Sequence, residues 1–401
     1  MKKVLFVTAL LLGAFTASAQ ESVVKQAKKL KSKPAEAAKV LEAALTNPET
    51  ANDPNTWQLA GDFQKAIYDD ENMKLFLPNE KADTAKLYNS LIKMFDYYLK
   101  CDEVEQAGVA NGTIKKAKLR SKNAATLKKV RLNLVNGGGD AYNKGDYAAA
   151  MKYFGLFVDV VNTPMFANDA EIQADTLTSL YASYASLAAN MLKDKENVIK
   201  YGQIGKEHKE EGYRALMCMA EAYAGDTLQW LEVIKEGTEK FPEQNYFVGN
   251  LMDYYLNKGM VDDALTQING LLAKKEDPYY VYVKAVLLFE KKQYEEVMAT
   301  CDKLIAMNSN LTAEAYAKKG DCYFWPAQTI VEENSALSIE DPKYNTNESK
   351  IKALYEQAKP FYEKAKEVKP DAKNIWGQQL LRIYWALNKA EYEALEKELG
   401  Y

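Results

Sequence analysis

The stretch from Ala358 to Pro370 sets Ala358, Tyr362 and Ala365 four and three residues apart and then stops at Pro370. Residues at these intervals share one face of an α-helix. A small, aromatic, small order therefore describes a helix that presses closely on a neighbour, and the proline ends it. The order recurs in degenerate form. Val248, Leu251, Met252, Tyr255, Gly259, Ala264, Ile268 and Leu271 make one unit, and Val281, Lys284, Ala285, Leu288, Val297, Cys301 and Leu304 begin another thirty-three residues later. Tyr316 opens a third, thirty-five residues after Val281. A repeat this long cannot arise from helical amphipathicity alone, whose period is 3.6 residues.

Tyr316-x3-Gly320-x2-Tyr323, followed by Ala358 to Pro370, resembles the tetratricopeptide repeat, whose first helix reads aromatic-x2-Leu-Gly-x2-Tyr and whose second reads Ala-x3-Phe. The resemblance implies an all-α fold, a right-handed superhelical α-solenoid of stacked helix-turn-helix repeats. It also implies that protein or peptide partners lie along a concave face lined by first helices. Carried over by position, that face holds Asn143, Asp253, Asn257, Tyr282, Phe289, Asp321, Phe324, Tyr384 and Trp385, a mixture of rings and amide or acid groups suited to a peptide.

Other segments fit the same scheme. Ala35 to Leu45, closed by Pro48, reads as a second helix after a first at Glu21 to Leu30, and Trp57-x2-Ala60-Gly61 opens a further unit. Asp69 to Lys81 reads as a long hairpin before the amphipathic run Thr84 to Leu99. In Gly145-Asp146-Tyr147 the turn precedes a second helix that Pro164 closes. Val198 and Gly205 supply slim contacts, Leu216 to Tyr223 marks a first helix, and Phe241-Pro242 ends its partner. Trp325 to Ser349, rich in Asn, Glu and Ser, reads as an insertion and candidate binding loop, with Ile351 to Val368 as a delayed second helix. Trp376 to Tyr384 and Tyr392 to Leu395 read as capping helices. The expected division is a leader over 1–19, divergent helical repeats over 20–130, and a repeat array over 131–400 with an insertion at 325–349.

Met1-Lys2-Lys3, the apolar run Val4 to Leu12 and Ala17-Ser18-Ala19 have the basic start, short apolar core and small-x-small end of a secretory leader, with cleavage expected after Ala19. The residue next after that site is Gln20 and not a cysteine, which disfavours a lipid anchor. Export to the periplasm or cell surface is the expectation. Without Lys2 and Lys3 the chain has 50 basic and 56 acidic residues, a mildly acidic balance.

Little in the sequence points to catalysis. His208 is the single histidine, so a site built from several histidine ligands is excluded and His208 reads as a solvated surface residue. Gly137-Gly138-Gly139 lacks the following Lys-Ser/Thr of a phosphate loop and reads as close helix packing or a loosened helix start. Asp262 and Asp263 suit the positive end of a second helix. No catalytic residue, cofactor or metal is assigned. A hydrolase built on 325–349 rests only on loop length.

Of the four cysteines, Cys218 reads as buried and Cys101 has no evident mate. Cys301 and Cys322, on successive helices, are either buried thiols or a disulfide. Between Glu105 and Asp140 there is no acid, whereas Lys115, Lys116, Lys118, Arg120, Lys122, Lys128, Lys129 and Arg131 are basic. That segment reads either as a solvated helix face or as a strip for an anionic envelope component such as a polysaccharide; export argues against nucleic acid. Asp83-Thr84-Ala85, Asp175-Thr176-Leu177 and Asp226-Thr227-Leu228 resemble the acceptor of a bacterial O-glycosylation system. Helix capping explains the same pattern. The functional expectation is an exported, non-catalytic scaffold that binds protein or peptide partners, with an envelope- or carbohydrate-binding accessory protein as the alternative.

Overall fold

The computed structural model describes residues 22–401, so the leader expected over 1–19 lies outside the described residues. Every regular element described is helical. The chain divides into two compact units, one ending at Lys240 and the other spanning Phe241–Tyr401.

The first unit contains α1 (22–29), α2 (Pro34–Thr46), α3 (Pro48–Ala51), α4 (Pro54–Lys74), α5 (Thr84–Ala110), α6 (Arg120–Asn143), α7 (Tyr147–Asp159), α8 (Ala170–Gln173), α9 (Leu177–Met191), α10 (Lys195–Gly205), α11 (Gly212–Ala222) and α12 (Thr227–Lys240). The second contains α13 (Asn245–Asn257), α14 (Val261–Lys274), α15 (Pro278–Glu290), α16 (Tyr294–Ala306), α17 (Thr312–Ser335), α18 (Pro342–Val368), α19 (Lys373–Ala386) and α20 (Tyr392–Leu399). The first helices α11, α13, α15 and α17 begin at residues 212, 245, 278 and 312, so the repeat seen in the sequence is a repeat of helical hairpins. Helix starts carry the caps their sequences encode. Asp146 accepts a hydrogen bond from the Ala149 N–H, Asp194 from Asn197, and Asp277 from Tyr279.

Each hairpin leaves an apolar stripe that only a neighbour can cover. In the first unit α4 packs on α5, α6 on α7, and α9 on α7 and α10, closing a core of Leu91, Met94, Phe95, Leu127, Leu134, Phe154 and Phe157. In the second, α17 packs along α18, and α18 on α19, around Tyr355, Tyr362, Trp376 and Leu380.

One contact appears in both units. A Cβ on Gly61 would lie 2.4 Å from the Tyr98 ring, and one on Gly320 would lie 2.7 Å from the Tyr362 ring, so only glycine lets α5 and α18 lay an aromatic face on the opposing backbone. The next residue in each case accepts the phenol proton. Tyr98 donates to Asp62 at 2.8 Å, and Tyr362 donates to Asp321 at 2.6 Å. Burial foremost, with the adjacent carboxylate, pushes both phenols well above their ordinary value of 10.0 and keeps them protonated donors.

One expectation needs correction. Residues 325–349 are not an inserted loop: α17 runs through Trp325 to Ser335, only 336–341 are non-helical, and α18 starts at Pro342 rather than near Ile351. Pro326 and Pro360 both sit inside helices, each at the cost of a backbone hydrogen bond. Mutual packing offsets that loss: Phe324 lies against Tyr355 and Tyr362, Tyr323 stacks on Phe361, and Asn334 donates to Glu348. The contacts separate the chain at Lys240 and Phe241, and position 130, where the repeats were expected to change character, lies inside α6. Of the two readings of the glycine run, close packing holds: Gly137 and Gly138 lie well inside α6, where added Cβ atoms would meet Tyr88, Tyr153 and Phe154.

Candidate functional site

The groove residues inferred by position separate into surface and core. Asn143 ends α6 and is exposed, in the first unit; the other eight belong to the second. Asp253 and Asn257, one turn apart on α13, are exposed on one face. Tyr282 and Phe289 on α15 are half-buried against the Val281, Leu288 and Cys301 cluster. Lys318 of α17 places its ammonium 4.7 Å from the Phe289 ring centre and 2.6 Å from Asp321. Burial opposes that charge, but Asp321 outweighs it and the Lys318 pKa lies above the ordinary value.

Asp321, Phe324 and Tyr384 are buried, so their assignment to a binding face is corrected. Asp321 accepts hydrogen bonds from Tyr362 and Lys318, Phe324 packs in the core, and Tyr384 donates to Glu363 at 2.8 Å. An aromatic at helical spacing had a hairpin partner to face, and the sequence did not distinguish that side from the open one.

Trp385 is 58% exposed. With Gln378, Leu381, Arg382 and Tyr392 it lines a cleft of about 370 Å³ on α19 and α20. The Arg382 guanidinium lies 5.2 Å from the Trp385 ring centre, a cation-π distance. Gln378, Leu381, Arg382 and Trp385 follow i, i+3, i+4, i+7 spacing, a face legible in the sequence once α19 is drawn as a wheel.

The basic segment is also divided. Arg120 forks onto Asp102 at 2.7 and 2.9 Å, and Lys128 reaches Asp169 at 2.9 Å and Glu171 at 2.6 Å. Arg131 is buried at 4% exposure: it donates twice to the Phe157 carbonyl, once to Thr178, and pairs with Asp175, while its guanidinium lies 3.6 Å from the Phe157 ring centre. Arg131 is internal structure and is withdrawn from the strip, whereas Arg120 and Lys128 stay half-exposed with their charges paired. Lys115, Lys116, Lys118, Lys122 and Lys129 remain exposed. The first three line a cleft of about 680 Å³ with Asn52, Asp53, Asn55 and Thr113, and the buried Glu105 carboxylate holds its wall by accepting the backbone N–H groups of Lys118 and Leu119.

All four cysteines are free and buried, so Cys301 and Cys322 share a core cluster as thiols without a disulfide. His208 is half-buried, not fully solvated, and its Nδ1 accepts the Glu211 N–H at 3.0 Å to close the turn before α11. Thr84, Thr176 and Thr227 are exposed at helix starts, and the preceding Asp83, Asp175 and Asp226 each accept a nearby backbone N–H. Among the described residues no group of three or more His, Cys, Asp or Glu side chains is placed to hold a metal, and no helix is long and apolar enough to cross a membrane.

No family model matches the chain, and no curated protein does. Among solved structures it is similar to a TPR repeats protein from Bacteroides fragilis at 16% identity, covering 64% of this chain and 98% of that one with a TM-score of 0.32. A tetratricopeptide repeat protein from Parabacteroides merdae aligns at 17% identity over 64% of this chain and 99% of that one, TM-score 0.34. The TPR2AB domain of yeast Sti1, in a complex with pHSP90, aligns at 16% identity over 81% and 100%, TM-score 0.24. Likeness at this level is loose, and the tetratricopeptide-like hairpin reading rests on this chain's own helix spacing and packing.

Proposed function

We propose that the chain is an exported, non-catalytic scaffold that binds a protein or peptide partner through the outward faces of α13, α15 and α19 in its second unit. The observation that carries this reading is the Trp385 cleft. A large ring, exposed beside an arginine and a glutamine, is the kind of anchor on which interface energy concentrates. Asp253 and Asn257 on α13 offer further exposed polar groups in the same unit. Tyr282 and Phe289 are secured by core packing and contribute only their exposed edges.

The test is co-purification of the tagged chain from the native envelope. Trp385→Ala with Arg382→Ala should lose a partner that wild-type chain and Lys129→Ala both retain, with helicity unchanged in all three. Retention by the double variant would remove the cleft from the interface. Export is checked by intact mass, which should begin at Gln20 and would also show any sugar on Thr84, Thr176 or Thr227.

A second reading has one observation in its favour, the cleft lined by Lys115, Lys116 and Lys118. An anionic envelope polysaccharide held there should dissociate steeply with salt, because exposed charges are screened over about 8 Å at physiological ionic strength.

A further inference from the structure

The α4–α5 hairpin ends in a tip that packing does not explain. Residues 75–81 are all exposed, and Leu75, Phe76 and Leu77 are consecutive there, with Phe76 79% exposed and Met73 open just before them. We infer that this tip inserts into the acyl layer of a neutral lipid bilayer, so that the chain associates with a membrane surface. The inference goes beyond partner binding by the second unit and uses none of its residues.

Three observations favour lipid over a protein groove. Consecutive side chains in a turn project in different directions, so Leu75, Phe76 and Leu77 form no single face for a groove to cover, whereas a fluid apolar phase surrounds all three. The tip stands on a fixed base: the buried Glu71 carboxylate accepts the Asp83 N–H at 2.9 Å, the Lys86 ammonium at 2.6 Å and the Lys74 ammonium at 3.1 Å, tying the two ends of the loop together. The charges at its base are largely paired, Lys65 with Asp69, Lys74 with Asp70 and Glu71, and Lys86 with Glu71. The base therefore has no excess of positive charge to draw anionic headgroups, which leaves apolar transfer as the driving term.

The experiment places a reporter beside the tip. The native thiols are buried and burial pushes each of them up to about 12, so a polarity-sensitive dye on Glu80→Cys labels one site in the full chain. Phosphatidylcholine vesicles should shift its emission to the blue, molar salt should leave the shift in place, and Phe76→Asp with Leu77→Asp in the same chain should lower vesicle partition at least tenfold. Because only the tip differs between the chains, any contribution from the apolar run at 4–12 cancels. The inference is overturned by an absent shift, by an equal shift in the double variant, or by a shift that requires anionic lipid. A shift that grows with protein concentration without vesicles overturns it in favour of pairing between two copies.

Discussion

Replacing Tyr362 with phenylalanine removes one oxygen atom from the centre of the second unit. The side chain is fully buried and its hydroxyl donates to Asp321 at 2.6 Å, where Lys318 is the carboxylate's other close partner. A hydrogen bond to a charged group is worth about 1.5–3 kcal/mol, and here a buried acceptor loses one of its two donors while the ring contacts persist. Tyr362→Phe should cost about 2 kcal/mol, or about 4–8 °C in Tm for a unit of this size. The folded-state phenol pKa is raised, so the contribution is fully present below the ordinary 10.0 and is lost only as pH rises through the higher folded value. A loss that is flat between pH 6 and 9 is therefore expected. Two units need not melt together, so amide hydrogen exchange in α17 and α18 is the suitable assay, with urea melts of the variants alongside. Tyr98→Phe should loosen α4 and α5 in the same way, with less effect because Asp62 is only half-buried whereas Asp321 is buried. A change under about 0.5 kcal/mol, or a double-mutant cycle with Asp321→Asn giving zero coupling, would refute the reasoning.

Arg131→Met breaks a buried pair with Asp175 and should lower stability by about 3–5 kcal/mol, whereas Lys129→Ala stays within about 0.5 kcal/mol; thermal melts of the two variants distinguish them. Glu71 has its pKa lowered from 4.5 to about 2, chiefly by the Lys86 hydrogen bond, so its contribution is present above pH 4.5 and lost as pH falls towards 2. Glu71→Gln should flatten that arm of an acid titration followed by circular dichroism. Thiol titration of the native chain should count no reactive cysteine, rising to four in denaturant.

Much of the hairpin plan was legible because local and tertiary signals agreed. Gly145-Asp146-Tyr147 encoded its turn and cap together, and Ala358, Tyr362 and Ala365 marked a helix pressed closely on a neighbour. What was not legible depended on distant partners. Pro326 and the polar run after it looked like a loop because nothing nearby shows that α18 will lie along the whole of α17. Arg120 and Arg131 looked like surface cations because the carboxylates that hold them are 18 and 44 residues away in the chain. The candidate site followed the same rule: Trp385 was identified by position, but Arg382 and Gln378 joined it only when the open side of α19 was known.

The phenol-to-aspartate ties of Tyr98 and Tyr362 each join the two members of one hairpin, and never one hairpin to the next. A chain delivered N-terminus first, whether from a ribosome or through a narrow pore, can thus fasten each helix pair as soon as its second member emerges. The longest wait for either tie is the 36 or 41 residues between donor and acceptor, and such short-range closure favours rapid folding in order of arrival.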